Sequence, residues 1–205
     1  MSEYKIRKYQ KEDELKWLDC HASVMVDSYA WWTVIHQKPQ YDNEIIDLVV
    51  AKDNDIVGFI TTEIKADVID FVKGDYGFVW EFGVHREHRG NSLGKRLINK
   101  THQLMRDKFN INRSIWFSQD KRAQKYYERL GMQEIERHWQ FLVKPDQKLK
   151  NSLLEKGFNC WNMRGECKTE DWPRVKENFE IIEDDDALKP RLCIGYSHQP
   201  KVKES

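Results

Sequence analysis

Polar and apolar residues alternate over positions 4–9, the two-residue period of a strand with one buried face. From 12 to 25 the period lengthens. Leu15, Leu18, Ala22 and Met25 recur at three- and four-residue intervals, which predicts a helix. An aromatic-rich stretch, 28–33, leads through a loop or short helix to Lys38-Pro39. Two apolar runs follow, 47–51 and 56–64, and Asp53-Asn54-Asp55 between them marks a hairpin. After a turn around Lys73-Gly74-Asp75, positions 76–84 read as a further strand rich in aromatics.

The second half mixes the two periods. Positions 93–109 carry Leu97, Ile98, His102, Leu104 and Met105 at helical spacing. Positions 114–117 suit a buried strand, 121–130 a helix, and 132–143 one or two strands. A hairpin leading into strand–helix–strand–helix–strand predicts an α/β (α+β) chain, with a central mixed antiparallel/parallel sheet and helices on both faces. Past Pro145 the character shifts to a helix over 147–156, a Gly/Asn/Cys-rich stretch, an acidic helix over 172–182 and a strand over 192–196. The expected division is a domain over 1–143 and a C-terminal appendage over 144–205 packed on it, fraying from about 200. Some sixty residues would be marginally stable alone.

Charge narrows the choice of partners. Lys+Arg and Asp+Glu both number 34, so the basic excess of a generic nucleic-acid or anionic-membrane binder is missing. No apolar run approaches the eighteen or so residues of a membrane span, and positions 1–10 are too polar for a signal peptide. A cytoplasmic location follows as the expectation, with Cys20, Cys160, Cys167 and Cys193 as reduced thiols. Cys160 and Cys167 lack CxxC spacing and have few nearby histidines, so no metal is expected.

The chemically informative run is 81–98. A strand ends at Val84, a short loop holds Arg89, Gly90, Asn91 and Ser92, and a helix opens at Leu93-Gly94-Lys95-Arg96. Unbonded amides and the positive end of a helix dipole then aim at one point, where glycines let a phosphate approach. Arg89, Lys95 and Arg96 add positive charge. Neither GxxxxGK[ST] nor GxGxxG is present, so this is not a P-loop or a dinucleotide fingerprint. On the glycines alone, a tight strand-to-helix turn explains Gly90 and Gly94 equally well.

The run Val84-His-Arg-Glu-His-Arg-Gly-Asn-Ser-Leu-Gly-Lys95 resembles the acyl-CoA loop of the GNAT acetyltransferases, whose core reads Arg/Gln-x-x-Gly-x-Gly/Ala. Arg89 matches the first position and Gly94 the last, while Ser92 replaces the usual glycine. A serine keeps the backbone donor there if its φ is negative. A second segment, Asp120-Lys-Arg-Ala-Gln-Lys-Tyr-Tyr-Glu-Arg-Leu-Gly-Met132, is similar to the family's Asn-x-x-Ala-x-x-x-Tyr-x-x-x-Gly-Phe. Ala123, Tyr127 and Gly131 match; Asp120 stands for Asn and Met132 for Phe. The two matches together cover residues 3–143.

The resemblance implies a cytoplasmic N-acetyltransferase in which a neutral amine attacks the thioester of acetyl-CoA directly. Pantetheine would lie between the splayed strands 76–84 and 113–118, along Phe82, Gly83 and Val84, with the Val84 N–H polarising the thioester oxygen. Arg89, Gly90, Asn91, Ser92, Leu93, Gly94 and Lys95 would wrap the pyrophosphate, and Asp120, Ala123 and Tyr127 would complete the cofactor site. Tyr127 is the candidate general acid for the departing thiolate, with core packing as its alternative. Glu81 is the candidate base, against a structural pairing with an arginine. His85 and His88 lie beside the cofactor loop and are otherwise surface histidines. Tyr29, Trp31 and Trp32 would line the acceptor pocket or cap the core. The acidic run 183–186 is a solvated loop or a lure for a cationic acceptor. Homodimerisation through the C-terminal strands is implied by analogy. The rival reading is a catalytically silent acyl-CoA-binding sensor or interaction module.

Overall fold

The computed structural model describes residues 3–28, 34–64, 69, 71–184 and 188–201. They form two compact units: residues 1–116, 128–133 and 196–205 in the first, 117–127 and 134–195 in the second.

The first unit is built on β1 (Lys5–Lys8), β2 (Ile45–Lys52), β3 (Asp55–Ile64), β4 (Gly77–Val84) and the start of β5 (Ser114–Ser118), in that spatial order. The first four pair antiparallel, and β4 with β5 parallel. The tight β2–β3 turn holds Asp53 at φ 54°, a left-handed conformation that Asp tolerates better than branched residues. Helix α1 (Glu14–Asp27) covers one face, with Trp17, Cys20 and Val24 packed against Val49, Ile56 and Phe59. Helix α2 (Leu93–Phe109) covers the other, its Met105 filling the space over Gly77 and Thr62. Phe59 and Thr62 differ by an odd number of positions along β3, so they point to opposite faces. The prediction of a mixed sheet with a helix on each face is met.

The buried stripe of α1 is only partly the expected one: Leu18 and Met25 pack against the core at its margin. Leu15 is 77% exposed, whereas Trp17, Cys20, His21 and Val24 are buried. Both stripes have helical spacing, so period alone could not choose between them. Packing chose. An added Cβ on Gly83 would lie 2.6 Å from Val24 Cγ1, so the missing side chain lets α1 close on β4 along the Trp17 stripe.

In the second unit the strand order is β8 (Arg191–His198), β6 (Gln133–Val143) and β7 (Met163–Lys168), with β6 and β7 antiparallel. It also carries α3 (Lys121–Arg129), α4 (Gln147–Glu155) and α5 (Trp172–Asn178). Trp172 stacks on Trp139 with centroids 4.9 Å apart, which fixes α5 on β6. Two details differ from the sequence reading. The Gly/Asn/Cys-rich stretch contains β7, whose side chains alternate between half-buried and exposed. Helix α5 ends at Asn178, because Phe179 is extended and Ile181 and Ile182 pair with Val143 and Leu142. Long-range pairing there overrides the helical pattern. All four cysteines are free thiols, and burial pushes those of Cys20 and Cys193 up to about 12. Among the described residues, no helix is long and apolar enough to cross a membrane.

Candidate active site

Strand β4 pairs with β3 as far as Val84, but its ladder with β5 covers only Gly77↔Ser114 and Phe78↔Ile115. Beyond Phe78 the β5-side edge of β4 has no recorded ladder. His85 N donates to Val57 O at 3.0 Å, so the two-residue alternation turns the backbone of Phe82 and Val84 to that open edge. Phe82 is held by an edge-to-face contact with buried Trp116, centroids 5.4 Å apart.

The chain then makes a 3-10 turn over Arg86–His88 and enters α2 through Gly90 (φ 84°) and Ser92 (φ 56°). The negative φ that would keep the serine donor in place is therefore not adopted. Ser92 takes the left-handed conformation that the family's glycine adopts freely, and its side chain does not cap α2. The first α2 bond runs from Arg96 N to Ser92 O at 3.0 Å. The amides of Leu93, Gly94 and Lys95 precede any i−4 acceptor and point along the positive end of the dipole. Asn91 folds back, its Nδ2 donating to His88 O at 3.1 Å, and braces the turn.

The three basic side chains are placed differently. Arg89 Nε donates to Val84 O at 3.0 Å, and its terminal nitrogen meets Asp27 Oδ2 at 2.9 Å. Asp27, at the end of α1, also holds Arg86 at 2.6 Å. Arg96 reaches back to Tyr4 O at 3.1 Å. Lys95 is exposed at the helix mouth. His88 Nδ1 lies 3.1 Å from Tyr4 Oη; burial, with the charges of Lys52 and His85, lowers its pKa from the ordinary value. His85, Glu87 and His88 place ligand atoms within 4.8 Å of one another, the one such trio recorded among the described residues.

Glu81 is not paired with an arginine. Its Oε2 lies 3.0 Å from Nε2 of His21, whose ring is 1% exposed on α1. Next to this pair, Lys38 Nζ bonds Thr61 Oγ1 at 3.1 Å and Asp47 at 3.0 Å, and sits 4.4 Å from the Trp17 ring centroid. Burial raises the Asp47 pKa, and the neighbouring ammonium opposes that rise. Sequence reasoning missed His21, Asp27 and Lys38. The available signal for His21 was a titratable residue one turn after Trp17, on a predicted helix.

In the second unit, Asp120 Oδ1 accepts from Arg122 N at 2.8 Å and so caps α3. Gln124 is also buried: its Nε2 donates to Ser118 O at 2.9 Å and Leu192 O at 2.8 Å, pinning α3 to β5 and β8. Tyr127 is 5% exposed and Ala123, one turn earlier on the same side, is half-buried. Tyr29, Trp31 and Trp32 lie outside the described residues, as does part of the acidic run 183–186.

The fold is shared with solved acyltransferases. The chain superposes on the PaiA N-acetyltransferase of Thermoplasma acidophilum in complex with coenzyme A at TM-score 0.52 and 15% identity, covering 81% of this chain and 99% of that one. Against Arabidopsis thaliana NAA60 in complex with acetyl-CoA the TM-score is 0.54 at 12% identity, over 96% and 98% of the two chains. A GNAT-family acetyltransferase from Staphylococcus aureus gives 0.51 at 17% identity, over 65% and 86%. A search of curated protein sequences finds no match. An α/β acyltransferase fold, with a glycine-containing loop and a helix start after an open strand edge, defines the class. Residues 6–132, more than half of the chain, match the acetyltransferase (GNAT) family, and the chain belongs to it. It is an acyl-CoA-dependent N-acetyltransferase.

Proposed function

We propose that the protein transfers the acetyl group of acetyl-CoA to a primary amine of a small molecule or peptide by direct attack. The observation that carries this reading is the β4–β5 ladder that stops after two pairs, leaving the β4 edge open beside the amides of α2. Pantetheine completes that edge as an added strand, bonded by Phe82 and Val84. The pyrophosphate meets the amides of Leu93, Gly94 and Lys95, and Arg89 exchanges Val84 O and Asp27 for phosphate oxygens.

In the reaction, Glu81 takes a proton from the incoming ammonium, directly or through water. The neutral nitrogen attacks the thioester carbon, and the Val84 N–H stabilises the oxygen as it gains charge. The C–S bond breaks as Tyr127 gives its phenolic proton to the CoA thiolate, and the second proton, shed by the amide nitrogen, returns to the Tyr127 phenolate through water. Support for Tyr127 is its place in the matched motif together with its burial.

Calorimetric titration with acetyl-CoA tests the binding half, with CoA and ATP as controls. Micromolar binding of acetyl-CoA and CoA, abolished by Gly94→Trp, is expected; no binding sinks the reading. Tyr127→Phe is expected to lower kcat at least about 100-fold while leaving the acetyl-CoA Kd within about threefold. Equal turnover would remove Tyr127 from the mechanism, and binding without turnover of any amine would favour a silent acyl-CoA sensor.

A further inference from the structure

The His21–Glu81 pair carries chemistry that the cofactor site does not account for. The His21 ring stacks on Trp17 with centroids 4.8 Å apart and an interplanar angle of 20°, and lies 5.6 Å from Phe59. Its Nε2 is 3.0 Å from Glu81 Oε2, and its Nδ1 is buried with no partner among the described residues. A carboxylate only accepts hydrogen bonds, so the ring proton of this contact sits on Nε2. A second proton on Nδ1 would bury an unpaired N–H against aromatic carbon, which is unfavourable. The neighbours agree: Glu81 faces the ring from β4, the Lys38 ammonium sits over Trp17, the Tyr41 phenol that feels the Glu81 charge stays protonated, and so does the Cys20 thiol next in sequence on α1. Glu81 is the one anion recorded against the ring among the described residues.

We propose that His21 is a positioning residue for Glu81: as an Nε2–H donor it holds Oε2 and leaves Oε1 to take the proton of the acceptor amine. This rests on the reading of Glu81 as the base. The geometry suits it. Glu81 is on a paired strand, the His21 ring is held by Trp17 of its own helix and by Phe59, and Glu81 has no other hydrogen bond recorded among the described residues. Rigid support of this kind is what keeps a base within reach of its proton. His21 exchanges no proton itself. It fixes which oxygen reacts.

Two measurements on the full chain decide the matter. Long-range 1H–15N correlation at pH 7.5 reports which ring nitrogen of His21 carries the proton. The Nε2–H tautomer is expected, with its signal displaced in Glu81→Gln; an Nδ1–H tautomer or an imidazolium overturns the proposal. This arm needs no acceptor. The second arm follows thiol release from acetyl-CoA with putrescine, benzylamine and a short peptide bearing a free N-terminus. His21→Leu should lower kcat about tenfold or more, with the acetyl-CoA KM unchanged and the acid limb of the rate profile moved to higher pH. His21→Gln, which restores a donor, should recover to within about threefold of wild type. A folded His21→Leu protein with wild-type kcat and pH profile overturns the proposal. A slow Glu81→Gln beside an unaffected His21→Leu defeats this inference alone, whereas a wild-type rate in Glu81→Gln defeats the assignment of the base.

Discussion

Gly83→Ala isolates the contact on which the α1 side of the site depends. A Cβ at position 83 would lie 2.6 Å from Val24 Cγ1, 2.9 Å from Cγ2 and 3.0 Å from Phe59 Cζ. Carbon atoms at rest stand about 3.5–4.0 Å apart, so the helix must retreat by about 1 Å or Val24 must leave its rotamer. Gly83 has no positive φ, so the penalty is steric and not conformational. Overpacking of this size costs about 1–3 kcal/mol, which in a chain of this length lowers Tm by about 2–4 °C per kcal/mol. Val24→Ala removes the two closest of these three carbons, leaving Phe59 Cζ at 3.0 Å, and alone costs about 1.5–3 kcal/mol in lost burial and cavity. The two changes should therefore be strongly coupled. Urea unfolding of the four proteins of the cycle, followed by tryptophan fluorescence, should show the double variant about as stable as Val24→Ala by itself. Additivity within about 0.5 kcal/mol would refute the argument that Gly83 exists to admit α1. The same retreat would lengthen the 3.0 Å His21–Glu81 contact, so turnover should fall in Gly83→Ala and recover in the double variant.

His102 supplies a pH test. Its Nε2 lies 2.9 Å from Ser114 Oγ, and burial, reinforced by the charges of His198 and Arg106, lowers its pKa to about 3. The unfolded chain protonates near pH 6.5 and the folded one does not, so the stabilisation is complete above pH 6.5 and is lost progressively down to about pH 3. Over that window His102→Gln should flatten the stability–pH curve by up to about 1.4 kcal/mol per pH unit, and an unchanged slope in denaturation midpoints would count against a buried neutral imidazole. At the loop, Ser92→Gly relieves a side chain held at φ 56° and should leave stability equal or higher by up to about 1 kcal/mol, with acetyl-CoA bound at least as tightly by calorimetry. Weaker binding would mean that the serine hydroxyl itself serves the phosphate.

Much of the molecule was legible along the chain. The period-3.6 pattern of 93–109 became α2 with those same ends, and the hairpin signal at Asp53-Asn54 became β2–β3. The loop before α2 and the α3 motif that carry the family match were readable because their signals are local: a glycine, an arginine and a helix start lie within a few residues of one another. Local signals survive without tertiary knowledge because backbone conformation and capping act over one or two turns. Other features had no such signal. Which apolar stripe of α1 is buried depended on a glycine some sixty positions away. That Glu81 meets a histidine and not an arginine, and that Arg89 rests on Asp27, are consequences of α1 crossing β4. The end of α5 was set by the pairing of Ile181 and Ile182 with β6. Sequence determined the elements and the chemistry each could carry; the tertiary structure decided which side chains meet, because burial and pairing compare surfaces that are distant along the chain.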